Sequence, residues 1–274
     1  MDPQLKIAQH RLEVGRAQEQ VAAGALLPQA SIFGQFSRNE LSIEGVEDDE
    51  SYDGQRYGLS VRQMLFDWST ISARARAAEV VGQREADLLE AMGNLLVDVS
   101  ERYFRVLLAD GGVTLLRAEY ELVQQQLRET EKLYERKLVR VTDLLETQAR
   151  ADKVRTDLIE AENEAALSRE ELSALTGATV GDLAPIREDF TLPPLEHNLD
   201  YWIEQAMDNN AVLASRRQAV LAAEKSVQEQ KGGHYPTLSL VLSAQHSDVG
   251  YDNLASPPRD TEYIGVDINV PLFE

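Results

Sequence analysis

The sequence predicts a mainly α-helical protein with β-structure, made of long antiparallel coiled-coil hairpins and four β-strands and duplicated internally. Three observations predict it. Residues 2–39 and 57–66 recur about two hundred positions later as residues 210–247 and 264–273: Asp2 falls on Asn210, Leu5 on Leu213, Leu12 on Val220 and Pro28 on Pro236, while Gly58, Leu65 and Phe66 fall on Gly265, Leu272 and Phe273. Apolar residues recur at every seventh position from Met92 to Tyr134 and again from Leu144 to Leu172. Four further segments alternate apolar and polar residues with a period of two. Sustained heptads indicate coiled coil, and strict alternation indicates a strand with one apolar face.

At the start, Asp2-Pro3 is an N-cap followed by proline at the first helical position, where the missing N–H costs nothing. This helix, over 1–28, is expected to run to about Leu27 and to end at Pro28. Ala30, Ile32, Gly34 and Phe36 then alternate with Ser31, Gln35 and Ser37, and Leu59, Val61 and Leu65 alternate with Gly58, Ser60 and Arg62, so 29–66 is expected to be a β-hairpin. Its loop carries Glu44, Glu47, Asp48, Asp49, Glu50 and Asp53. That run could catch a divalent cation, but it lacks the spaced ligands of a calcium loop and is expected to be a solvated connection.

No proline interrupts Asp67 to Leu138, and the heptad positions Met92, Val99, Val106, Val113, Tyr120, Leu127 and Tyr134 are flanked by Leu96 and Tyr103 early and by Leu116 and Val123 late. Gly111-Gly112 lies where the seam changes register, which predicts a local bend. Roughly 70 helical residues would make a rod on the order of 100 Å. After a turn near 137–142, Leu144, Ala151, Leu158, Ala165 and Leu172 continue the pattern with Val154, Ala161 and Leu175, which makes 67–176 an antiparallel helical hairpin. Thr176-Gly177 closes it, and 177–197, rich in proline, is an irregular link. The series Leu199, Ala206, Leu213, Val220 and Val227 predicts one helix over 198–235. The second hairpin, 236–273, alternates Leu238, Leu240, Leu242 and Ala244 with Thr237, Ser239, Ser243 and Gln245, then Val266, Ile268 and Val270 with Gly265, Asp267 and Asn269. The second copy has no counterpart of the long helical hairpin, so the chain is expected to be a piece of a longer protein.

With 274 residues, 43% of them hydrophobic, the chain has the composition of a folded protein. Its longest apolar stretch, Val21 to Leu27, is far short of the roughly 20 residues that cross a bilayer as a helix. A net charge of -20, from 47 acidic against 27 basic residues, argues against nucleic acid as a partner. With no cysteine there is no disulfide, thiolate metal site or cysteine nucleophile. His10, His197, His234 and His246 show no zinc-ligand spacing, and no nucleotide loop, nucleophile elbow or catalytic carboxylate pair is present, so neither an enzyme nor a cofactor or metal is expected. No export-signal pattern opens the chain, and any such signal is expected outside it.

Strands with one apolar and one polar face need an apolar partner on one side and water on the other. Long helical rods do not provide that cover. Lipid outside and water inside would satisfy both faces, but only in a barrel closed so that no strand edge meets hydrocarbon. Four strands cannot close alone, whereas three protomers would supply twelve. The alternative is a sheet packed as one face of a soluble sandwich in a coiled-coil scaffold with no transport role.

In Asp2-Pro3-Gln4-Leu5, Leu27-Pro28-Gln29, Gly58 through Asp67, Tyr134 to Leu144, Tyr235-Pro236-Thr237-Leu238 and Gly265 through Phe273, essentially the whole chain resembles the TolC-like outer-membrane efflux and secretion proteins. The resemblance implies a homotrimer with a twelve-stranded barrel in outer-membrane lipid and a helical tunnel crossing the periplasm of a Gram-negative cell. It also implies an inner-membrane pump and a periplasmic adaptor as partners, the adaptor meeting the turn at Lys137, Leu138, Val139 and Thr142. The family usually has glycine where this chain has Lys137. Asp143 aligns with an aspartate that in some relatives helps hold the tunnel closed, and it could equally cap the helix that Leu144 opens. Arg62, Asp267 and Asn269 would face the lumen and tune passage, or serve only as wet-face residues. The cargo, whether drug, metal ion or polypeptide, is not legible.

Overall fold

A computed structural model describes residues 2–41, 50–187, 189–248 and 257–272. Phe273, most of the acidic loop between the first two strands, and the second inter-strand loop over 249–256 lie outside the described residues. In chain order the elements are α1 (Pro3–Gly24), β1 (Gln29–Leu41), β2 (Glu50–Phe66), α2 (Trp68–Glu135), α3 (Val141–Thr176), α4 (Leu199–Asn209), α5 (Ala211–Gly232), β3 (Thr237–Asp248) and β4 (Arg259–Asn269). No helix among the described residues is long and apolar enough to cross a membrane.

The duplication extends to the atoms that start the helices. Asp2 accepts a hydrogen bond from the Leu5 N–H at 2.9 Å, and Asn210, its counterpart, accepts one from the Leu213 N–H at 3.1 Å. Both are N-caps, and the second corrects a sequence expectation. The heptad series from Leu199 to Val227 predicts one helix over 198–235, whereas the chain breaks at Asn210, whose extended backbone (φ -73°, ψ 117°) separates α4 from α5. Heptad spacing survives the break because an N-cap interrupts the hydrogen-bond ladder without inserting residues. Helix α1 likewise stops short of Leu27, at Gly24, and residues 25–27 form a turn. At Gly111-Gly112 the structure keeps α2 helical throughout.

The chain divides into two compact units, Met1–Gln9 with Leu88–Asp208, and His10–Asp87 with Asn209–Glu274. In the first, the seam between α2 and α3 is the core: Val123, Ala151 and Val154 pack together, with Tyr120 and Leu127 against them. Val106 is wholly buried, and Ala165 and Leu172 are nearly so. Small alanines on α3 let it approach larger residues on α2, as the heptad pattern predicts. Ion pairs flank the seam, Arg117 to Glu162 at 2.8 Å and Arg169 to Asp110 at 2.7 Å. The linker after Gly177 is tied down by the Tyr103 hydroxyl, which donates to the Ala184 carbonyl at 2.6 Å.

Leu96, expected in the seam, is 70% exposed instead, and Leu108, Leu115 and Leu122 are exposed as well. These last three repeat every seventh residue on a register different from that of Val106 and Val113. Helix α2 therefore carries a second apolar stripe that nothing described in its unit covers.

In the second unit Asp67 caps α2, accepting from the Ser69 N–H at 2.9 Å and from the Thr70 hydroxyl at 2.8 Å. The helices are joined by Arg16 to Glu85 at 2.9 Å, Arg76 to Glu229 at 2.7 Å and a Ser215 hydroxyl bond to Asp87 at 2.6 Å. The four strands form one antiparallel sheet in the order β1-β2-β3-β4, interrupted by a register shift between Met64 and Phe66. Within this sheet β1 and β4 are edge strands, each paired on one side only.

Candidate functional site

Directly paired residues of a sheet point to the same side, so the register assigns every side chain to a face. One face is built of cross-strand rows Phe66–Leu238–Ile268, Ala30–Val61–Leu242–Ile264 and Ile32–Leu59–Ala244–Glu262. It is apolar and uncovered: Ile32 is 87% exposed and Ile264 72%. The apolar stretch occupies nine residues of β3, from Leu238 to His246, where Tyr57 stacks on His246 at 5.1 Å and His246 bonds Asp260 at 2.7 Å. About 9–11 tilted residues is the length at which a strand spans a bilayer. Amphipathic rings at the margin of an apolar band suit a membrane interface.

The opposite face is polar. Ser31 and Ser60 share a hydrogen bond at 2.8 Å, in a row continued by Ser243 and Tyr263. Arg62 donates to the Ser239 hydroxyl at 3.0 Å and lies 3.6 Å from the Asp267 carboxylate, and Asn269 stands two residues further along the same face of β4. The structure thus brings Arg62 and Asp267 together across three strands, which the sequence alone did not pair.

The other candidate residues lie on the turn between α2 and α3, in the first unit. Lys137 has φ 61°, the left-handed region, and its N–H donates to the Tyr134 carbonyl at 2.8 Å while the Leu138 N–H donates to the Leu133 carbonyl at 2.9 Å. This pair of bonds is a Schellman ending, with lysine at the position where glycine is the usual choice. Leu138 and Val141 are exposed, and Val139 is half-buried. The turn is shorter than expected, because Thr142 and Asp143 already belong to the first turn of α3. Asp143 is therefore not the N-cap. That position is Arg140, and Asp143 reaches back to accept from the Arg140 N–H at 3.1 Å. The capping box is one-sided because a guanidinium has no acceptor to return.

Two stability changes follow at this turn. Lys137→Gly removes the left-handed cost of a side chain and should stabilise the hairpin by about 1 kcal/mol, seen as a higher urea midpoint. Asp143→Ala removes a backbone partner and an anion at a helix N-terminus, and should cost about 0.5–1 kcal/mol by the same titration.

A sheet apolar on one face and polar on the other, in one chain with long paired helices, defines a class of proteins that join an amphipathic sheet to a coiled coil. The chain belongs to the outer membrane efflux protein family, whose pattern residues 1–178 match. It is 30% identical over 281 residues to the alkaline protease secretion protein AprF of Pseudomonas aeruginosa, an alignment covering 99% of this chain and 58% of that one. To the outer membrane protein TolC of Vibrio cholerae it is 27% identical over 277 residues, covering 99% and 62% respectively. Its fold matches that of the outer membrane protein VceC from Vibrio cholerae with a TM-score of 0.79 at 19% identity, over 100% of this chain and 66% of that structure. The chain spans about three fifths of the length of these relatives.

Proposed function

We propose that the protein is a passive exit duct, the outer-membrane channel component of a tripartite efflux or type I secretion system, without chemistry of its own. The observation that carries this reading is the two-faced sheet: Ile32 and Ile264 stand exposed on one side, and Arg62, Ser239 and Asp267 line the other. Three copies joined edge to edge, β1 to β4, would close twelve strands, seal both open edges, turn the apolar face to lipid and enclose a wet lumen. Arg62, Asp267 and Asn269 would then face that lumen. The hairpin tip, with Lys137 and Leu138 exposed, Val139 half-buried and Thr142 exposed on the first turn of α3, is suited to receive a periplasmic adaptor, with an inner-membrane pump supplying the energy. Asp143 would add a gating contact to its capping bond. The stripe of Leu108, Leu115 and Leu122 fits a tunnel wall in which α2 has helical neighbours on more than one side. A scaffold with no transport role would need the apolar face covered, and the exposure of Ile32 and Ile264 argues against it.

The full-length protein, reconstituted in planar bilayers and cross-linked in detergent, tests the reading. It should yield discrete conductance steps and a trimeric band. A monodisperse monomer with no conductance overturns it.

A further inference from the structure

We propose that the polar face of the sheet is a cationic band that favours anionic permeants, those whose charge is carried by carboxylate or phosphate oxygens. The proposal rests on the duct reading. It starts from an imbalance that composition does not predict. The chain carries a net charge of -20, yet the register places Arg56, Arg62 and Arg259 on the polar face against two acidic positions among the described residues, Asp267 and, at the loop end of β2, Glu50. The other acids of these strands fall on the opposite face, Glu40, Asp53, Asp248 and Asp260 beyond the apolar rows and Glu262 at the end of the row that Ile32 begins.

The arginines differ in what they are free to do. Arg62 is engaged by Asp267 at 3.6 Å and by Ser239. Arg56 and Arg259 share one cross-strand row with Ser247 between them, Arg56 opposite Ser247 and Ser247 opposite Arg259. Both are exposed, Ser247 is buried, and neither arginine has an acidic or hydrogen-bonding partner among the described residues. Two strand spacings separate them by about 10 Å at the backbone, close enough for flexible side chains to converge on one oxyanion. A guanidinium presents paired donors that match carboxylate and phosphate oxygens, and it keeps its charge at any physiological pH. Two such groups lie on each copy of the chain, near the loop end of the strands. Together they would hold a positive potential around the lumen that reaches about 10 Å in 0.1 M salt and about 30 Å in 0.01 M.

The test is the reversal potential of the reconstituted full-length protein across a potassium chloride gradient at low salt. Arg56→Gln with Arg259→Gln should lower the chloride-to-potassium permeability ratio by about threefold or more, and Asp267→Asn, which frees Arg62, should raise it. Polyglutamate or inorganic polyphosphate added on the loop side should block the unaltered channel at lower concentration than the double variant. Block by only one of these polymers assigns the band to carboxylate or to phosphate. A conducting channel whose ratio is unmoved, or moves the same way for both substitutions, overturns the cationic band and leaves the duct standing. Absence of conductance in the unaltered protein overturns the duct itself, and this inference with it.

Discussion

Ile264→Arg is expected to destabilise the membrane-inserted full-length protein by about 2–4 kcal/mol, the cost of a cation at mid-depth on the lipid face of a barrel. Ile264 ends the row Ala30–Val61–Leu242–Ile264, midway along the apolar stretch of β3, flanked on its face by Leu240 and Val266 on one side and by Ile32, Leu59 and Ala244 on the other. The expectation is useful because exposure alone predicts the opposite: Ile264 is 72% accessible, and substitutions at such positions in a water-soluble protein usually change stability by no more than about 0.5 kcal/mol. The size of the effect therefore reports the solvent. Urea titration of the protein folded into lipid vesicles measures it, with Ser243→Arg, on the polar face, as the control expected to stay within about 1 kcal/mol. Equal and small changes for both variants would mean that this face never meets hydrocarbon.

Gly58→Ala should cost about 1–3 kcal/mol through overpacking and loosen the pairing of β2 with β3, whereas Gly265→Ala, its counterpart in the duplication, should cost less than about 1 kcal/mol. A methyl group on Gly58 would sit 2.5 Å from the Ala244 carbonyl oxygen and 2.9 Å from the Gln245 Cα, both backbone atoms of a strand paired on each side. Backbone held in a ladder cannot step aside without breaking hydrogen bonds. At Gly265 the obstacle is the hydroxyl end of Tyr263, which folds back over the glycine and can rotate away. Hydrogen exchange of the β2 and β3 amides, compared between the two variants, separates the cases. Equal protection in both would contradict the argument.

Much of the fold was legible because its periods are long and regular. Val106, Val123, Ala151, Val154, Ala165 and Leu172, all placed on the seam by heptad spacing, are buried there. What escaped was the overlap of two patterns on one helix. The eye follows one heptad register, and Leu108, Leu115 and Leu122 hold another, so α2 reads as having one partner when it presents faces for two. The break at Asn210 was also in plain view, since Asn210 aligns with the cap Asp2, but an uninterrupted heptad hid it. At the turn, Lys137 in a left-handed conformation could not be read from sequence, because lysine gives no signal for a position that glycine normally marks.

The sequence by itself determined the elements apart from the break between α4 and α5, their order, the duplication and the existence of an apolar and a polar side to each strand. These depend on local periodicity and on caps acting over three or four residues. Only the tertiary structure decided which strand lies beside which, and hence that Arg62 meets Asp267 and that Arg56 and Arg259 share a row. The reason is that cross-strand neighbours are set by register between segments nearly two hundred residues apart, where a slip of one residue would send every side chain to the other face.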